Sequence, residues 1–367
     1  MEVIRRTGEL ERAGQRILHL EVGQPSTGAP AGAIRATEAA MAREALGYTD
    51  ALGIPPLREG IARCHEDRYG QVIDPERIVV TTGASGGITL ALLACFDAGD
   101  RVAITAPGYP CYRNQLEAFG IEVVEIETNA STRFQPTPEL VEAAGPVDGL
   151  VVASPSNPAG TMLDADELAA LASWCDDAGV RLISDEIYHG LTYGRSVGTA
   201  SASSPNAVVV NSFSKYWSMT GWRIGWLVLP EDLVRPVERL GQNLVVNAPT
   251  VSQHAALAAL GCHDECEENV ARYARNREVL LDRLPKLGLD RLAPADGAFY
   301  VYADVSELGL PSPELCSAWL TDLGVATTPG IDFDPGRGLG YVRFSFAGAT
   351  EHMVEACDLL EGWMRHR

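Results

Sequence analysis

Six short runs of β-branched and aliphatic residues recur along the first two-thirds of the chain, with helix-like segments between them. They are IVVTT (78–82), RVAIT (101–105), EVVEI (122–126), GLVVAS (149–154), VRLISDE (180–186) and AVVVNS (207–212). Strands separated by helices cannot close as hairpins, so this alternation argues for a largely parallel sheet covered by helices on both faces. The segment 164–179 reads as one crossover helix: Asp164 can cap it, Leu168, Leu171, Ala172 and Cys175 share a face, and Gly179 can end it. After Pro230 the pattern changes to long helical stretches, ECEENVARYARNREVLLDRL at 265–284 among them, followed by GAFYVYADV and YVRFSFA. The expected class is α/β, a large domain with a sandwiched, mainly parallel sheet plus a smaller α+β domain. No internal repeat or low-complexity linker divides them.

Charge narrows the function. The 29 basic residues face 49 acidic ones, and the resulting net charge of −20 repels nucleic-acid backbones and anionic lipid surfaces. Neither nucleic acid nor membrane is an expected partner, and an anionic ligand would need its own local arginines and lysines. No run of about eighteen apolar residues occurs, and the N-terminus is too charged for a signal peptide. The eight cysteines form no CxxC pair, which points to a reduced cytoplasm. Cys262 and Cys266, with His254 and His263 nearby, have the wrong spacing for a zinc knuckle, so no metal site is expected.

In an open parallel sheet, ligands bind beyond the carboxyl ends of the strands. The unusual residues fall there: TTGASGG after 78–82, PSNPAG after 149–154, Asp185 and Tyr188 closing 180–186, and SFSKYW after 207–212. Lys215, flanked by Phe213, Tyr216, Trp217 and Trp222, would be partly desolvated, which favours its amine form. A lone lysine on a loop is ordinarily solvated surface, but Ser212, Ser214 and Arg223 lie in the same short segment and suit a phosphate dianion. Gly83, Ala84 and Ser85 open a helix whose free N–H groups form an anion site, although a plain tight turn explains them as well. Asp185 ends a buried strand and needs a structural ion pair or a cationic ligand such as a pyridinium. Asn157 and Tyr188 can donate to a phenolate oxygen, whereas Asn-Pro alone would be a turn.

Taken in order, VGQPSTGAP, YTDALGIPPLRE, TTGASGG, APGYPCY, SPSNPAGT, SDEIYHGLTY, SFSKYWSMTGWRIGW and YVRFSFA resemble the class I aminotransferases, fold-type I pyridoxal-phosphate enzymes related to aspartate aminotransferase. The resemblance spans almost the whole chain. It implies that Lys215 carries pyridoxal 5′-phosphate as a Schiff base and shuttles the proton, that Asp185 contacts the pyridine nitrogen, and that Asn157 and Tyr188 flank the ring oxygen. It further implies that Tyr109 stacks on the ring and that Gly83, Ala84, Ser85, Ser212, Ser214 and Arg223 surround the phosphate. Arg343, Asn157 and Gly23 would bind the substrate α-carboxylate, and Tyr48 would reach the neighbouring subunit's phosphate in a homodimer with shared sites. Domain limits follow by the same route: 1–35 with the small domain, 36–264 as the large one, 265–367 as the remainder of the small one.

Two positions stay open. Val342, Phe344 and Phe346 share one face of their strand while Arg343 lies on the other with Tyr341 and Ser345, so periodicity leaves the arginine's environment undecided. Where aspartate-type relatives carry a lysine for a distal carboxylate, this chain has Ser85 before Gly86 and Gly87. That favours an amino acid with a neutral side chain, unless an arginine from another loop replaces the lysine. The expected reaction is ping-pong amino transfer between an L-amino acid and a 2-oxo acid. A lyase or biosynthetic synthase on the same scaffold is the alternative, and a cofactor-sensing regulator is disfavoured by acidity and the lack of a DNA-binding segment before Gly23. A dinucleotide oxidoreductase would need a GxGxxG turn that is absent.

Overall fold

A computed structural model describes residues 2–366. Each of the six apolar runs is a strand: β1 (Ile78–Thr81), β2 (Arg101–Ala106), β3 (Glu122–Glu127), β4 (Gly149–Ala153), β5 (Arg181–Asp185) and β6 (Val208–Ser212). A seventh, β7 (Gly225–Val228), lies within the tryptophan- and glycine-rich stretch that follows Lys215 and is not apparent in the sequence. The order is β1-β7-β6-β5-β4-β2-β3. Only β7 runs antiparallel to its neighbours, β1 and β6. Residues of β1, β6 and β7 are buried on both faces, which is why those runs lack hydrophobic alternation, whereas the edge strand β3 is largely exposed.

The crossover helix Ala165–Ala178 begins and ends where its caps dictate. The Asp164 carboxylate accepts from the Glu167 N–H at 2.9 Å and Glu167 accepts from the Asp164 N–H at 2.8 Å, while Gly179 closes it with φ 70°. Its buried residues are Leu168, Leu171, Ala172 and Cys175, the face the spacing predicts.

Beyond helix His263–Lys286 a second sheet forms from β8 (Tyr300–Asp304), β9 (Thr328–Pro329) and β10 (Tyr341–Ser345), with β10 in the middle and antiparallel to both neighbours. The N-terminal segment packs with it: Leu18–His19 pairs in parallel with Val325–Ala326, and the Ser345 N–H donates to Leu20 O at 2.7 Å. Loops beside this second sheet meet the carboxyl ends of the large sheet through backbone bonds, Gly297 N–H to Gly160 O at 2.8 Å and Gly108 N–H to Phe333 O at 3.0 Å. A β-carbon at Gly297 would run into Pro155, so the two layers approach at glycine. Among the described residues, no helix is long and apolar enough to cross a membrane.

Candidate active site

Lys215 follows β6 and points its ammonium at the Gly23 carbonyl, 2.5 Å away. The sequence suggests that Phe213, Tyr216, Trp217 and Trp222 surround it; instead Phe213, Trp217 and Trp226 pack on one another, with centroids 4.8–6.0 Å apart. The rings that the ammonium faces are Tyr188 and Phe299, at 5.7 and 5.9 Å. The correction has a physical reason: residues flanking a strand end alternate inward and outward, and the apolar ones turn into the core beneath the lysine. Burial and the nearby Arg343 charge pull the Lys215 pKa down to about 8, against the opposing pull of Asp185.

Asp185, the last residue of β5, is buried and takes its hydrogen bonds from the Tyr112 hydroxyl (2.6 Å) and the Ile187 N–H (3.1 Å), not from a cation. Burial lifts its pKa to about 6, with both hydrogen bonds and Lys215 acting in the other direction. Tyr109 caps helix Pro110–Ala118, and its ring meets Tyr112 edge-on at 5.6 Å. Tyr112 is thus a site residue that sequence reasoning missed; its place three residues after Tyr109, one turn along a helix, was the available signal.

Helix Gly83–Cys95 starts directly after β1, and its N-cap, Thr82, makes no side-chain cap hydrogen bond. Gly83 has φ 75°, and a β-carbon there would sit 2.5 Å from Arg223 Nη2, so the arginine is brought against the helix N-terminus because no side chain intervenes. Gly225 plays the reciprocal part, since its β-carbon would lie 3.0 Å from Ala84 N. Arg223 itself adopts a left-handed conformation at φ 50° and donates from Nη1 to Thr220 O at 2.9 Å. Ser214 N–H donates to Ser212 Oγ at 3.0 Å, and that hydroxyl also lies 3.0 Å from Ile224 O and 2.8 Å from Ser214 Oγ. Ser212 therefore knits the loop together as much as it faces the cradle.

Arg343 is buried in the middle strand β10, between layers on both faces, which explains why its periodicity was undecided. Its Nη1 donates to Asn157 Oδ1 at 2.7 Å, and its Nη2 donates to Glu21 O at 2.5 Å and Thr328 Oγ1 at 3.1 Å. None of these acceptors is a carboxylate, and Nε has no hydrogen-bond partner among the described residues. A buried guanidinium held by neutral oxygens is poised for an anion. Accepting from Arg343 also fixes the Asn157 amide, so its NH₂ end is the one left for other partners. The guanidinium lies 4.5 Å from the Tyr300 ring centroid and 4.8 Å from that of Phe333. Both rings, and Thr328, escaped the sequence reading. Tyr48 stands apart from this group: it is 89% exposed, beside Val245 and Val246 on the surface.

The model of the family described as aminotransferase class I and II matches residues 15–360. The chain belongs to this family. The aminotransferase is 52% identical to the valine–pyruvate aminotransferase of Mycobacterium tuberculosis over 99% of this chain and 95% of that protein. It is 32% identical to the aspartate aminotransferase of Thermotoga maritima over 100% of this chain and 96% of the relative. Among solved structures it superposes on an aminotransferase from Mycobacterium tuberculosis with a TM-score of 0.98 and 52% identity, covering 100% and 96% of the two chains. It also superposes on the aspartate aminotransferase from Thermus thermophilus with maleate, with a TM-score of 0.92 and 31% identity, covering 98% and 95%. The aminotransferase uses pyridoxal 5′-phosphate to transfer amino groups between amino acids and 2-oxo acids. Its site fits that cofactor: a buried carboxylate whose hydrogen bonds come from a hydroxyl and a backbone N–H, a desolvated amine, and a helix N-terminus kept open to Arg223 by Gly83.

Proposed function

We propose that Lys215 is the amine that holds the cofactor, with Asp185 at the ring nitrogen and Asn157 and Tyr188 at the ring oxygen. Tyr109 covers the ring face, and the phosphate rests on Gly83, Ala84, Ser85, Ser214 and Arg223, with Ser212 bracing the loop beneath. The observation that carries this reading is the placement of the Lys215 amine, on the Gly23 carbonyl and facing the Tyr188 and Phe299 rings, within a site that also holds Asp185 and Arg343. Bound there, pyridoxal phosphate supplies a carbonyl for the amino group and an electron-withdrawing ring. Arg343, Asn157 and the Gly23 backbone orient the substrate carboxylate, and Lys215 Nζ takes the proton from the substrate Cα. Borohydride reduction of the yellow protein followed by peptide mapping tests the assignment: the label belongs on Lys215, and a label elsewhere refutes it.

The preferred substrate is a monocarboxylic amino acid with a neutral, branched aliphatic side chain, and pyruvate is the matching oxo acid. The name of the relative at 52% identity supports this. Charge pairing supports it independently, because Arg133 and Arg337, on loops near the site, are already paired with Asp296 and Asp334. A second substrate carboxylate drawn to either of these two would have to displace its acidic partner. Half-reactions with valine and aspartate decide between the two classes; faster conversion of aspartate refutes the reading.

We further assign residues 1–35 and 265–367 to one domain and 36–264 to the other, a division supported by the pairing of Leu18–His19 with Val325–Ala326. A cytoplasmic homodimer completes the proposal. The exposed apolar group of Tyr48 (89%), Val245 (41%) and Val246 (44%) supports self-association, with Tyr48 reaching the partner's phosphate. Sedimentation of the wild type at two protein concentrations and a cofactor titration of Tyr48→Phe test the two parts. A monomer, or unchanged cofactor affinity in the variant, counts against them.

A further inference from the structure

Tyr300 touches three parts of the site at once. Its hydroxyl lies 2.7 Å from that of Tyr188. A β-carbon at Gly23 would run into the same hydroxyl. Arg343 stands 4.5 Å from the centroid of its ring, with the Phe333 ring 4.8 Å from the same guanidinium. The side chain is buried, at 1% exposure, so this placement is held by packing from several directions.

Two neighbouring hydroxyls share one hydrogen bond, which leaves one proton over. In the assignment above Tyr188 gives its own proton to the cofactor's ring oxygen, so towards Tyr300, whose hydroxyl is walled by Gly23, it can only accept. The hydrogen bond is therefore best satisfied with Tyr300 donating to Tyr188. The spare proton then belongs to Tyr188, whose ring faces the Lys215 ammonium at 5.7 Å. The ring of Tyr300 has a separate task. Stacked on Arg343, it fixes the plane of a guanidinium whose Nε is unpartnered, and so the direction from which a carboxylate docks.

We propose that Tyr300 is a positioning residue that couples the two ends of the site, its ring holding the Arg343 plane and its hydroxyl directing the Tyr188 proton toward the cofactor's ring oxygen. This rests on the assignment of Lys215, Tyr188 and Arg343 above. The two tasks belong to different atoms of one side chain, so two substitutions separate them. Tyr300→Phe keeps the ring and removes the hydroxyl. Tyr300→Leu removes both.

The experiment uses holoenzyme and two readouts other than turnover: the pH midpoint of the visible cofactor band, and the dissociation constant of isovalerate, an unreactive branched monocarboxylate. A weaker donor at the ring oxygen leaves more negative charge there and makes the adjacent lysine nitrogen more basic. Tyr300→Phe is therefore expected to raise the midpoint by roughly half a unit to one unit, the scale of one ordinary hydrogen bond, with isovalerate affinity within about twofold of wild type. Tyr300→Leu is expected to raise the midpoint similarly and to weaken isovalerate by about five- to tenfold. An unmoved or lowered midpoint in Tyr300→Phe, or isovalerate weakened equally in both variants, overturns the coupling. Lys215→Ala separates the underlying assignment. Loss of the titrating band with isovalerate still bound attributes the band to Lys215, and a band that persists overturns that assignment and the coupling with it.

Discussion

The Tyr112 hydroxyl donates to Asp185 Oδ2 at 2.6 Å, and this bond opposes the burial that lifts the Asp185 pKa to about 6. Tyr112→Phe removes a donor to the charged form, so the carboxyl becomes easier to protonate. The variant is expected to bind pyridoxal phosphate about tenfold more weakly at neutral pH, the scale of a hydrogen bond to a charged group. The deficit should widen as pH falls toward 6, because ionised Asp185 becomes scarcer in the variant first. Cofactor titrations at pH 6 and pH 8 check this; a deficit independent of pH contradicts it.

Arg343 meets its three acceptors with two terminal nitrogens, and a lysine cannot reproduce that fork. Arg343→Lys retains the charge but loses the planar, bidentate match to a carboxylate. The expected result is a rise in KM for the amino donor of roughly 30- to 100-fold, with cofactor binding unchanged, since Arg343 is not part of the phosphate cradle. Steady-state kinetics beside a cofactor titration separates the two effects.

The parts of the fold that were legible are those whose cause is local. The β-branched runs of β1 to β6 and the caps Asp164 and Gly179 specify their elements through nearest neighbours. β7 was not legible because Gly225 and Arg223 resemble loop chemistry; the glycine is there for close approach to Ala84, a tertiary requirement. The same division holds in the site. Lys215, Asp185 and Arg223 sit in dense motifs, whereas Tyr112 and Tyr300 matter only through what faces them across more than 70 residues of chain. Periodicity in β10 could not place Arg343, because a middle strand covered on both faces buries its odd and even positions alike.

The depressed Lys215 pKa makes a kinetic prediction for the apoenzyme. Only the neutral amine attacks an aldehyde, so the rate of pyridoxal phosphate incorporation should rise with pH and level off above about 8. An ordinary lysine would keep accelerating to about 10.4. Arg343→Met should shift the plateau upward, because the neighbouring guanidinium helps to depress the amine. Stopped-flow measurement of incorporation between pH 6 and pH 10 reads this directly, and a profile still climbing beyond pH 9 in the wild type contradicts it.

His19 makes a stability prediction with the opposite sign from a buried base. Its Nδ1 lies 2.8 Å from Glu21 Oε1 and its Nε2 lies 3.0 Å from Glu11 Oε1, and the Glu21 hydrogen bond leads in raising its pKa to about 9. A folded-state pKa above the unfolded value of about 6.5 means that protonation favours the folded chain. The contribution is fully present below pH 6.5 and is lost as pH rises through 9. With the side chain 38% exposed, solvent screening keeps the effect small, about 1–2 °C in melting temperature. The difference in melting temperature between wild type and His19→Gln should therefore shrink from pH 6 to pH 10. Above pH 9 the buried Glu21 carboxylate faces a neutral ring, and the strand pairing of Leu18–His19 with Val325–Ala326 then holds the N-terminal segment without the ion pair.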